Sequence, residues 1–174
     1  MKKIRFEKYA IILAGALLLG GCSQSAPAES TSAEVSTEQS ESNQVEAKSI
    51  ADIYTEIETS VELYSPFCWD DDYISNYYGI DVSTLDEYVF SISEDATSAE
   101  SVIIMKAKNA SDTAALSDCL QIVVDEKKNE MENYLPEQFK IVEKSSVQTK
   151  DNYVWLVISE NADAITKIIE DGIQ

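Results

Sequence analysis

The chain contains no histidine, and its single arginine, Arg5, falls within the first eight residues. Without histidine the usual general base at neutral pH is missing, and so is the commonest transition-metal ligand. A Ser-His-Asp or Cys-His catalytic device is therefore excluded within this chain. Beyond Arg5 no guanidinium is available for the bidentate grip on phosphate or carboxylate. Positive charge is scarce overall: 13 basic residues face 32 acidic ones, a net charge of −19. Nucleic acid is excluded as a partner, because a basic patch supplies most of that affinity. Anionic headgroups and wall polymers are repelled for the same reason. Cations, neutral glycans, peptides and basic proteins remain as partner classes.

A long hydrophobic run is also missing. The longest, YAIILAGALLLGG (residues 9–21), holds 13 residues, well short of the ~20 that span a bilayer as a helix. Lys2, Lys3, Arg5 and Lys8 precede it. A basic start, a short apolar run and small residues at its end describe a secretory signal, residues 1–21. Leu19-Gly20-Gly21-Cys22 resembles the bacterial lipobox, in which the cysteine thiol receives a diacylglyceryl group and becomes the new N-terminus. Two acyl chains suffice for stable anchoring. The expectation is a protein held on the outer face of the cell membrane through Cys22 without spanning it.

Residues 23–48 contain no aromatic residue, and their only branched aliphatics are Val35 and Val45. Such a segment cannot bury enough apolar surface to offset its ordering entropy. Together with Cys22 it reads as an acidic, Ser/Glu/Thr-rich tether, residues 22–48. One domain follows, residues 49–174, a length that supports a hydrophobic core. It carries 26 acids against 8 lysines, a net −18. Its two cysteines, Cys68 and Cys119, are 51 positions apart. An exported protein can pair them, or they can stand as separate thiols.

Hydrophobic periodicity orders the domain. Ile50, Ile53, Tyr54, Ile57 and Val61 lie on one helical face, with Ser49 and Asp52 placed as a capping pair. A short helix is expected from about 71 to 78, stopped by Gly79. YVFSISE (88–94) and SVIIMKAK (101–108) read as a hairpin. A long helix, 111–134, carries Leu116, Leu120, Val123 or Val124, and Met131 on its stripe and stops at Pro136. FKIVEKSSVQ (139–148) and NYVWLVIS (152–159) read as a second hairpin. A last helix, about 162–171, is bounded by Asn161 and Gly172. The order is α-α-ββα-ββα. It implies an α+β fold, a mainly antiparallel four-stranded sheet with helices on one side. An Asn-Ala pair follows an apolar strand in both ββα halves, which suggests duplication.

Several of these segments together match a known pattern. They are the helix IADIYTEI, the acid-led helix running into Tyr77-Tyr78-Gly79-Ile80-Asp81, and Asp86-Glu87-Tyr88. The strand ending Lys106-Ala107-Lys108 and Asn152-Tyr153-Val154-Trp155 complete it. On these residues the domain resembles an uncharacterised family, a domain of unknown function found in small surface lipoproteins, mainly of Gram-positive bacteria. The resemblance implies an exported, lipid-anchored location and supplies no catalytic residues.

Asp70, Asp71 and Asp72 are the candidate for cation chemistry. A calcium loop draws six to eight oxygens from a curved segment, usually with alternate ligands and a turn glycine. Three consecutive acids without a glycine fit the acidic first turn of a helix better. Trp69, Tyr73, Tyr77 and Tyr78, near Tyr64 and Phe67, are the candidate ligand-binding aromatics, because rings beside carboxylates can stack on a sugar. The competing reading places them at one end of the core. Paired carboxylates of the glycosidase kind are not singled out by any spacing, and no cofactor is expected. The composition points to a non-enzymatic binding or envelope-assembly module. The alternative is a binder of a cation or neutral glycan through region 64–81.

Overall fold

A computed structural model describes residues 47–174. The signal segment, Cys22 and the tether up to residue 46 lie outside the described residues. Among the described residues the fold is α+β, with five α-helices and a five-stranded sheet. In chain order the elements are α1 (Ile50–Ser60), β1 (Pro66–Cys68), α2 (Asp71–Tyr78), β2 (Leu85–Ser93), β3 (Ser101–Ala107), α3 (Thr113–Met131), α4 (Pro136–Lys144), β4 (Gln148–Lys150), β5 (Tyr153–Ile158) and α5 (Ala162–Gly172). Short 3₁₀ turns precede β2 and α3. No helix among the described residues is long and apolar enough to cross a membrane.

The sheet is antiparallel throughout, in the order β1-β2-β3-β5-β4. Strand count and helix placement both differ from the reading of the sequence. The sheet has five strands, and helices cover both of its faces. On one face α2, α3 and α4 bury Ile74, Leu116, Leu120, Val123 and Val142 against Phe90, Ile103, Met105, Val154 and Leu156. On the other, α1 and α5 bury Ile50, Ile53, Ile57, Ile165 and Ile169 against Val102, Ile104, Trp155 and Val157. The cause is visible in the strands. β3 (SVIIMKA) and β5 (YVWLVI) are almost continuously apolar and, apart from half-buried Lys106, are buried on alternating sides. Such strands need two covers, whereas a one-sided sheet shows apolar and polar residues in alternation.

The segment 139–148, read as a strand, is mostly α4, with only Gln148–Lys150 extended. Phe139 and Ile141 alternate as a strand would, but Leu135, Phe139 and Val142 follow a helical spacing against the core. α3 ends at Met131, before the expected stop, and Pro136 opens α4 at its first turn, where a missing N–H costs nothing. The halves are also not copies. The helix after β3 covers one face and the helix after β5 covers the other.

Local punctuation agrees with the sequence at Ser49, whereas Asn161 flanks α5 without a side-chain capping bond. Ser49 Oγ accepts the Asp52 N–H at 3.1 Å, and the first N–H of α1 donates to Glu87 Oε2 at 2.8 Å. A carboxylate from β2 thus sits at the positive end of α1. Gly172 has a different role from the expected stop. A Cβ there would lie 2.6 Å from Ile53 Cγ1, so its bare Cα lets α5 close on α1. Among the described residues Cys68 and Cys119 are both free: Cys119 packs with the α3 face, while Cys68 sits beside Tyr54 on the α1 side.

Candidate functional site

The segment that raised the cation and sugar readings forms one corner of the sheet. The chain enters through Ser65, held at φ 45°, a left-handed turn that aims Pro66 into β1. β1 pairs with the end of β2: Pro66 opposes Ser93, Phe67 opposes Ile92 and Cys68 opposes Ser91. The Trp69 N–H then donates to Phe90 O at 2.9 Å, and the chain turns into α2.

The three acids are separated in role by this turn. Asp70 is the N-cap of α2, and its Oδ1 accepts the Tyr73 N–H at 3.0 Å. Asp71 accepts a hydrogen bond from the Tyr88 hydroxyl on β2, tying the first turn of α2 to the sheet. Burial, with this carboxylate next in importance, pushes the Tyr88 hydroxyl well above its ordinary pKa. Asp72 stays exposed beside Tyr73. Gly79 closes the helix at φ 66°, and the Ile80 N–H reaches back to Ile74 O at 3.3 Å. No group of three or more His, Cys, Asp or Glu side chains among the described residues is placed to hold a metal ion. None of the ion pairs among those residues involves Asp70, Asp71 or Asp72.

The aromatics form a ladder. Phe67 meets Trp69 edge to face at 4.7 Å between centroids. Trp69 stacks on Tyr73 at 3.8 Å, and Tyr73 stacks on Tyr77 at 4.6 Å. The i, i+4 spacing of Tyr73 and Tyr77 on α2 aligns these two rings. Tyr78 lies one position on and turns inward, packing against Phe90 at 5.2 Å. The candidate residues therefore divide. Tyr78 is 6 % exposed and belongs to the core, whereas Tyr77 is 70 % and Phe67 39 % exposed. Tyr64 sits elsewhere, with its hydroxyl on Asp95 at 3.0 Å. Between β1 and α2 lies a depression of about 360 Å³ lined by Phe67, Cys68, Trp69, Asp72, Tyr73 and Tyr77 among others.

A second cavity, about 440 Å³, gathers residues that the sequence did not single out. Glu62, Glu100, Glu160, Gln138 and Ser159 line it from four segments. Glu100 accepts the Ser159 hydroxyl at 2.6 Å and also the Tyr64 N–H, while Gln138 Oε1 accepts the Ala99 N–H at 2.9 Å. These bonds join the β2–β3 loop to α4 and to the end of β5. Glu100, Gln138 and Ser159 hold loops together, and only the tertiary fold brings these residues to one place.

A family of domains of unknown function, DUF4358, matches residues 59–159. The chain belongs to this family. The DUF4358 match takes in β1 to β5 with α2, α3 and α4, so the aromatic corner lies inside it. Most of α1 and all of α5, which cover the second face of the sheet, lie outside it. No curated protein and no solved structure matches the chain.

Proposed function

We propose that this DUF4358 protein is a lipid-anchored, extracytoplasmic binding module without enzymatic activity. Cys22 is its anchor, and its ligand surface is the aromatic corner between β1 and α2. The observation that carries the binding surface is the ladder itself. Its inner end is locked into the core through Tyr78 and Phe90, and its outer rungs, Phe67 and Tyr77, face solvent. Large rings held rigid at a concave, solvent-facing site contribute contact area at little entropic cost. The chain contains no histidine, the usual general base at neutral pH, which favours binding over catalysis.

A neutral glycan or a bare cation is the second reading for this corner, and the stacking weighs against it. Sugars and cations approach ring faces. Tyr73 stacks on both Trp69 and Tyr77, so its ring faces are taken up within the ladder.

Two experiments test the proposal. Cys22→Ala should release the protein from cells or leave an unprocessed precursor. If the variant remains processed and membrane-bound, the anchor assignment fails. A benzophenone photoprobe at position 77 should capture a discrete partner on intact cells. The same probe at Tyr134, an 84 % exposed tyrosine on the α3–α4 connection, should not. Equal or absent capture at the two positions overturns the ligand surface.

A further inference from the structure

The aromatic depression borders β1: Phe67 and Cys68 line one wall, and Tyr73, Asn76 and Tyr77 of α2 line the other. β1 is the outermost strand on this side of the sheet, and all three of its residues are exposed.

The hydrogen-bond phase of that edge can be read off. Glu94 N–H donates to Ser65 O at 3.0 Å, and Trp69 N–H donates to Phe90 O at 2.9 Å. In an antiparallel ladder the residues that face the partner strand alternate. Ser65, Phe67 and Trp69 therefore face β2, and Pro66 and Cys68 face outward. The free edge offers the Pro66 carbonyl and both backbone groups of Cys68. Pro66 offers no N–H, which limits unselective edge pairing.

We propose that an extended, basic segment of a partner protein docks in this groove as a sixth strand, paired with Cys68 and Pro66. The inference rests on the ligand surface assigned above and names what occupies it. Main-chain bonds to a strand edge supply affinity, and pockets for alternate side chains supply selectivity. Here alternate side chains of the docked strand fall between β1 and α2, against Phe67, Tyr73 and Tyr77.

Charge selects the occupant. Asp72 and the second oxygen of Asp70 border the groove without a lysine partner among the described residues, and the domain carries 26 acids against 8 lysines. The chain's own tether brings Glu29, Glu34, Glu38, Glu41 and Glu46, and a second copy brings the same acidic corner. Both are like-charged with the groove and are disfavoured. A lysine- or arginine-bearing strand is attracted, and its rate of encounter falls with salt.

The test uses the full chain in detergent micelles and a bead-bound library of random decapeptides. Retained sequences should carry Lys or Arg at alternating positions. N-methylation of one edge-facing amide in a retained peptide should weaken binding by about tenfold, roughly the value of one hydrogen bond. N-methylation of the neighbouring, outward amide should leave binding unchanged. Asp72→Lys should abolish the preference for basic peptides, and Phe67→Ala should weaken every retained sequence, with circular dichroism confirming that both variants fold. Retention of acidic peptides, or indifference to N-methylation, overturns strand docking. If no peptide is retained while the photoprobe at position 77 still captures a glycan or another non-peptide partner, strand docking fails and the ligand surface stands. If both assays are silent, both fail.

Discussion

Tyr77 and Tyr78 are neighbours of one residue type in one helix, and the fold assigns them opposite tasks. Tyr78 is 6 % exposed and packs on Phe90 among Ile74, Leu120 and Val123. Removing such a ring leaves a cavity and costs about 3–5 kcal/mol. Tyr77 is 70 % exposed, and its contact within the ladder is the stack on Tyr73 at 4.6 Å. Losing one aromatic pair costs roughly 0.5–1.5 kcal/mol. In urea, with a slope of about 1.5 kcal/mol per molar for a domain of this size, Tyr77→Ala should lower the unfolding midpoint by ~0.3–1 M. Tyr78→Ala should lower it by ~2–3 M on the same slope. Fluorescence of Trp69 and Trp155 reports the transition, and photoprobe or peptide binding reports function on the same samples. Tyr77→Ala should keep the fold and lose the ligand. If it destabilises as much as Tyr78→Ala, the outer rung is structural and the case for a ligand surface collapses.

Three further outcomes are expected. Gly172→Ala puts a methyl 2.6 Å from Ile53 Cγ1 and 2.8 Å from its Cδ1. Such overpacking costs about 1–3 kcal/mol. Because Ile53→Val removes one of the two clashing atoms, the double variant should lose less stability than the two single losses combined, and strict additivity in chemical denaturation would refute the close approach. A fragment confined to residues 59–159 lacks most of α1 and all of α5 and so bares Val102, Ile104, Trp155 and Val157. It should aggregate or bind a hydrophobic dye strongly, whereas a fragment starting at residue 47 should not, and a soluble, cooperatively folding 59–159 would contradict the two-faced core. Burial raises the pKa of Tyr54 and Tyr78 well above the ordinary 10.0. A raised folded-state pKa means that this stability is fully present below pH 10 and is lost as pH climbs further. The unfolding midpoint should therefore fall above pH 10, together with a delayed phase in the tyrosine ultraviolet titration; a flat midpoint between pH 10 and 12 would disprove it.

The site was partly legible. A cap at Asp70 or Asp71, acids in the first turn and Gly79 as the stop follow from rules that act within one helical turn; α2 occupies Asp71–Tyr78 as expected, and the structure selects Asp70 as the cap. That Tyr77 would face solvent and Tyr78 the core could not be read locally, because both rings extend from adjacent positions on a short helix. β1 carried no signal of its own. Three residues containing a proline become a strand only because Ser91, Ile92 and Ser93 present a free edge to them. With β1 unseen, the groove beside it was unseen as well.

The sequence by itself determined the approximate extents of α1, α2, β3, β5 and α5, and which charge and side-chain chemistry the protein lacks. Caps, glycine stops and apolar periods act over a few residues, and the absence of histidine holds in any fold. The burial of β3 and β5 on both faces, α4 in place of a strand, the inward turn of Tyr78 and the open edge of β1 were decided by the tertiary structure. Each depends on which distant surface remains to be covered once the sheet has formed, and no window of neighbouring residues contains that information.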